Sequence, residues 1–121
     1  MAKHHNVGRD GEDIAARYLE GEGYMIMDRN WRCGHKEIDI VVRNENTIVF
    51  VEVKTRCGTE YGNPEDAVNF RKIRRIVNSA DAYLRLHSID LDVRFDIVTV
   101  VVENGEFKVE HIKEAFYPPI E

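Results

Sequence analysis

The stretch Ile48-Val-Phe-Val-Glu-Val-Lys54 decides the fold. Val, Ile and Phe dominate it, so it reads as a β-strand with much of its surface buried. It nevertheless carries Glu52 and Lys54 near its end, two residues apart. Charged side chains are rarely buried unless they are paired or bind a metal. Strand side chains alternate between faces, so these two share one.

Elements can be placed on either side of that strand. Residues 37–43, EIDIVVR, read as the strand before it, joined by a turn at Asn44-Glu-Asn-Thr47. Residues 24–31, YMIMDRNW, suit a first strand. Before them Val7, Gly11, Ile14, Ala15, Tyr18 and Leu19 keep helical spacing, which stops at Gly21-Glu-Gly23. Downstream, residues 55–63 form a loop and Asn63-Pro64 predicts a helix start. The helical stripe then runs through Ile73, Ile76, Val77, Ala80 and Leu84. Residues 93–102, VRFDIVTVVV, are a strongly apolar fourth strand, and Asn104-Gly105 turns the chain into a fifth, EFKVEHI. The predicted class is α/β, in the order α-β-β-β-α-β-β, with helices packed on a central mixed sheet.

At 121 residues the chain has the size of one domain, taken as 1–121. Its 43% hydrophobic and 32% charged residues fit a soluble globular protein. No apolar run approaches the roughly 20 residues of a membrane helix. The opening MAKHHNVGRDGED lacks a signal-peptide core, which argues for a cytoplasmic protein. Cys33 and Cys57 have no CxxC spacing and read as free thiols of a reducing compartment. The net charge of −5 argues against coating nucleic acid by bulk positive charge. An enzyme on nucleic acid needs only a local basic surface, so that function stays open.

If Arg43 opposes Ile48 across the turn, Asp39 opposes Glu52 and Glu37 opposes Lys54. Two carboxylates about 5 Å apart repel by about 3 kcal/mol at an effective dielectric near 20. Lys54 offsets part of that repulsion, and a divalent cation offsets more. Mg²⁺ takes oxygen ligands, commonly one or two carboxylates with water and substrate phosphate. The plainer reading is a pair of cross-strand salt bridges, which leaves the second carboxylate unexplained. Glu12 lies seven residues before Leu19, only about 20° away in azimuth, so it sits near the helix's inward side. An N-terminal acid suits the helix dipole, but that does not account for the azimuth.

Asp39 followed by Glu52-Val53-Lys54 resembles the acid and E-x-K pattern of PD-(D/E)XK, restriction-endonuclease-like nucleases. GEDIAARYLEGEGY, RNWRCGHKEIDIVV, VFVEVKTR and RFDIVTV together resemble the bacterial YraN-type family over nearly the whole chain. That family is similar in fold to archaeal Holliday-junction resolvases. The resemblance implies a restriction-endonuclease-like fold and a Mg²⁺- or Mn²⁺-dependent DNA endonuclease. It implies Asp39, Glu52 and the Val53 carbonyl as metal ligands, with Glu12 joining directly or through water. It implies Lys54 as the residue that orients the attacking water or meets developing charge. It also allows a homodimer, which no heptad or apolar patch demands. Where the family usually carries Gly before Glu-Ile-Asp, this chain has Lys36.

Arg71-Lys72-Ile73-Arg74-Arg75 puts four cations on one helix. Lys72 and Arg74 are the candidate phosphate contacts, with Arg56 in the loop after the third strand. For Arg71 and Arg75 a solvated face is the better reading. Tyr61 is a further loop candidate, whereas Arg94 and Asp96 read as a structural pair. Trp31 and Phe50 read as packing. His4 and His5 read as an incidental terminus, and His35, His87 and His111 show no ligand spacing. The alternative function, from another class, is a non-catalytic nucleic-acid-binding or scaffold protein that keeps the fold.

Overall fold

The computed structural model describes residues 7–57 and 69–118. The elements are α1 (Val7–Gly21), β1 (Met25–Cys33), β2 (Lys36–Asn44), β3 (Thr47–Cys57), α2 (Phe70–Leu86), β4 (Asp92–Glu103) and β5 (Glu106–Ile112). This is the expected order. The five strands form one mixed sheet in the order β1-β2-β3-β4-β5. Only β3 and β4 run parallel. A parallel pair needs a crossover, and α2 lies within it.

The expected Asn63-Pro64 helix start, residues 58–63 of the expected 55–63 loop with Tyr61, and His4 and His5 lie outside the described residues. Residues 55–57, expected in that loop with Arg56, instead continue β3 to Cys57, because they stay paired with β4. The described helix α2 starts at Phe70. Asn69 caps it, its side chain accepting from the Lys72 N–H at 2.9 Å. Asn104 and Gly105 turn β4 into β5 with φ of 52° and 76°, as a type I′ hairpin requires.

Alternation along β3 divides the core in two. Val49 and Val51 face α1, where Ala15, Ala16, Leu19 and Tyr24 pack on them with Ile40, Val42, Val98 and Val100. Ile48 and Phe50 face α2, with Ile38, Val41, Ile76, Ala80, Tyr83 and Phe95. The result is a helix–sheet–helix sandwich. Covered on both faces, β4 is buried from Phe95 to Val100, which is why it reads as a strongly apolar run with only Asp96 and Thr99 polar. Burial of a side chain such as Leu19 contributes roughly 2 kcal/mol.

One close approach sets the position of α1. Gly11 is buried, and a Cβ there would collide with the Thr55 hydroxyl oxygen of β3. Without a side chain at residue 11, the start of the helix rests on the end of that strand. Glu12 is thereby carried to the place where β2 and β3 separate.

Candidate active site

Arg43 pairs with Ile48, as expected, and the β2–β3 ladder runs from there to Ile40 opposite Val51. There it stops. Ile38 and Ile40 would share a face in a regular strand, yet Ile40 packs beneath α1 and Ile38 beneath α2. β2 therefore turns over at Asp39. At that turn the Val53 N–H donates to Asp39 Oδ2 at 2.8 Å, so the side chain supplies an acceptor just past the ladder.

This corrects one expectation. Glu37 does not pair with Lys54, because the ladder ends before it reaches them. Glu37 Oε2 instead lies 3.7 Å from Arg32 Nε, across the β1–β2 pair. The backbone at Lys36 needs no glycine: it pairs regularly with Cys33, and the left-handed conformation falls on Gly34, with φ of 63°.

Asp39 and Glu52 come together. The Asp39 carboxyl is pushed up to about 7, first by burial and then by the Glu52 charge. Glu12 raises it further, as does a hydrogen bond shared with Glu52, and only the Val53 N–H works the other way. Glu12 reaches this point from α1. Its Oε1 is buried and has no hydrogen-bond partner among the described residues. Lys72 comes from the other helix, its Nζ 2.7 Å from Glu52 Oε2.

Asp39, Glu52 and Lys72 border a cavity of about 630 Å³, lined also by Glu37 and Val53 on the strands and by Arg75 and Ser79 on α2, among others; Glu12 is not among its lining residues. His35 and Lys36 stand on its rim. Arg75, expected to be merely solvated, is among the lining residues. Lys54 is not. It lies opposite Thr99 of β4, half-buried, and its side chain makes no hydrogen bond or ion pair with the described residues. Arg56, opposite Val101, also lies off the cavity. Arg74 stacks its guanidinium over the Phe70 ring at 5.8 Å and is exposed.

The donor set suits a hard cation in one respect: three carboxylates converge, and one oxygen lacks any donor. Among the described residues no three His, Cys, Asp or Glu side chains form a ready-made metal cage. A site of one or two carboxylates completed by water and phosphate does not need one.

A fully buried aspartate elsewhere in the sheet went unread as a centre of charge. Asp96 accepts from Arg94 Nε and Nη2, both at 2.8 Å, and from the Glu114 N–H at 3.1 Å. His111 Nε2 lies 2.7 Å from it, while the Tyr18 hydroxyl meets His111 Nδ1 at 2.9 Å. The Arg94–Asp96 pair was expected to be structural, and it is. The missed member is His111. In EFKVEHI it shares the inward face of Val109, and that alternation was the available signal.

Comparison with known proteins agrees with the sequence pattern. A family model described as uncharacterised protein family UPF0102 matches residues 11–100. Similar proteins include a UPF0102 protein of Phocaeicola vulgatus, 58% identical over 99% of both chains. One from Bacteroides thetaiotaomicron is 57% identical over the same shares. One from Flavobacterium psychrophilum is 43% identical over 97% of this chain and 98% of its own. The matched segment contains Gly11, Glu12, Asp39, Glu52, Lys54 and Lys72, and the chain belongs to the UPF0102 family, the YraN-type group.

Proposed function

We infer that the protein is a metal-dependent DNA endonuclease of the PD-(D/E)XK, restriction-endonuclease-like kind, acting on branched or damaged DNA in repair or recombination. The observation that carries this reading is Asp39: a half-buried carboxyl pushed up to about 7 beside two further carboxylates, on the wall of a cavity that also carries Lys36, Lys72 and Arg75. Strong perturbation by burial together with a specific charge partner, in a cleft, marks functional carboxylates. The element order, and the E-x-K run on the strand beside Asp39, support the same reading.

Asp39, Glu52 and the Val53 carbonyl are the groups that would hold Mg²⁺ or Mn²⁺, with Glu12 reaching it directly or through water. The orphaned Glu12 oxygen fits such a role. When bound, the ion polarises the phosphodiester and makes water a better nucleophile. The protein's own groups do the rest. Lys36, Lys72 and Arg75 hold the phosphate backbone at the cavity. Asp39 gives up the proton it shares with Glu52 as the site fills. Among the described residues the Lys54 ammonium has no polar partner to leave, so it can turn to the charge that develops on the phosphate.

Cleavage of linear, flapped, single-stranded and four-way-junction DNA with Mg²⁺ or Mn²⁺ tests this reading. Wild type is expected to cut at least one substrate. Lys54→Ala should slow cutting about 10²- to 10³-fold, the range for losing one transition-state donor, with DNA binding kept. A second reading, a nucleic-acid-binding or scaffold protein without catalysis, draws on the Lys72–Glu52 ion pair, which occupies one of the carboxylates assigned to the metal. Absence of cleavage across the panel with both metals makes that reading the better one.

A further inference from the structure

Lys72 stands in an unusual place. Its N–H is tied to the Asn69 cap, so the backbone is held at the first turn of α2. That turn contains no acid and carries Arg71 and Lys72, with Arg74 and Arg75 directly after. Cations at a helix N-terminus oppose the helix dipole, so the end of α2 is arranged to meet negative charge from elsewhere. In the free protein one such charge is Glu52, 2.7 Å from Lys72 Nζ. The side chains are one-third and one-sixth exposed, so the pair is only partly shielded from solvent. Lys54, the cation two residues along β3, neither lines the cavity nor neutralises a carboxylate.

We propose that Lys72 is an exchangeable counter-ion: it neutralises Glu52 in the free protein and passes to a backbone phosphate oxygen when a divalent cation takes that carboxylate. This rests on the metal-dependent reading of the site. The physical basis is competition. An ammonium and a divalent cation at one carboxylate repel each other, so either excludes the other unless the ammonium has another anion within reach. A DNA phosphate in the same cavity is that anion, and the flexible four-carbon stem of lysine allows the move. Metal and DNA therefore bind cooperatively, each helping the other by the same factor. The exchange also keeps the carboxylate cluster partly neutralised in the absence of substrate.

The test is the Mn²⁺ affinity of the full chain, read by electron paramagnetic resonance or calorimetry, with and without a short DNA duplex carrying non-cleavable phosphorothioate linkages. In wild type the duplex should tighten Mn²⁺ binding about 5- to 150-fold, the range of ordinary couplings between sites. Lys72→Gln should bind Mn²⁺ alone more tightly than wild type and show almost no further gain from DNA. Lys72→Arg, which keeps the charge, should retain the coupling. Lys72→Met preserves the apolar stem and replaces Lys72→Gln if the latter does not fold. If the neutral variants bind Mn²⁺ alone no better than wild type, or keep the full coupling, the exchange is refuted while the metal site stands. If wild type binds no Mn²⁺ with or without DNA, the metal-dependent reading falls, and this proposal with it.

Discussion

Two aspartates, the half-buried Asp39 and the fully buried Asp96, lie in the same sheet and meet opposite fates. Asp96 is fully buried, but Arg94, His111 and the Glu114 N–H surround it with donors, and these hold its carboxyl below the usual range despite its burial. Asp39 receives one N–H, from Val53, and faces two carboxylates. Burial alone thus does not separate structure from function. The count of donors against like charges does. A satisfied buried charge ties elements together, here β4 to β5 and to the segment after it. An under-satisfied one costs stability and is kept where something else will bind.

The largest expected effect comes from breaking the satisfied centre. Asp96→Ala leaves Arg94 without its carboxylate partner, which should cost about 3–5 kcal/mol. Urea unfolding near neutral pH measures it. A loss under 1 kcal/mol would mean that the network does not anchor β5.

The next effect contrasts the two aspartates through pH. The folded Asp39 carboxyl is raised from 3.8 to about 7, so its contribution is fully present below about pH 4 and is lost as pH rises through 7. The loss should be at most on the order of 4 kcal/mol. Asp96, lowered in the fold, acts in the other direction: its contribution is present above the unfolded value and is lost as pH falls through the folded one. Asp39→Asn should therefore stabilise the metal-free protein at pH 8 and flatten its stability between pH 5 and 8. Unfolding curves of both proteins across that interval decide it; parallel curves would show that Asp39 does not titrate there.

The smallest effect sharpens how Glu12 reaches Asp39. Gly11→Ala forces a Cβ against Thr55 and should cost about 1–3 kcal/mol. Adding Thr55→Ala removes the hydroxyl in the way and should restore most of that stability. The displaced helix should also relax the Asp39 carboxyl towards its ordinary value, a shift readable by NMR titration. An unchanged Asp39 titration in Gly11→Ala would show that the helix position does not control the cluster.

Much of this was legible in the residues. Short apolar runs rich in Val, Ile and aromatic residues marked five strands, the 3.6-residue stripes marked two helices, and Asn104-Gly105 marked a hairpin, because each is local chemistry acting over a few residues. Asp39, Glu52 and Lys54 stood out because charge on a buried strand demands a reason. Glu12 stood out because its azimuth is inward. Pairing across the Asn44–Thr47 turn followed from the turn's length.

Tertiary structure decided the remainder. No local signal ends the β2–β3 ladder at Ile40 or turns β2 over at Asp39, since both depend on which helix covers which face. The pairing of Lys72 with Glu52, and the placement of Arg75 rather than Lys54 on the cavity wall, depend on how α2 sits against the sheet. His111 became the partner of Asp96 because β5 pairs with β4 in one register, with Ile112 opposite Ile97. Periodicity reports which side of an element faces inward. Which charge meets which across the core depends on the packing of elements far apart in the chain.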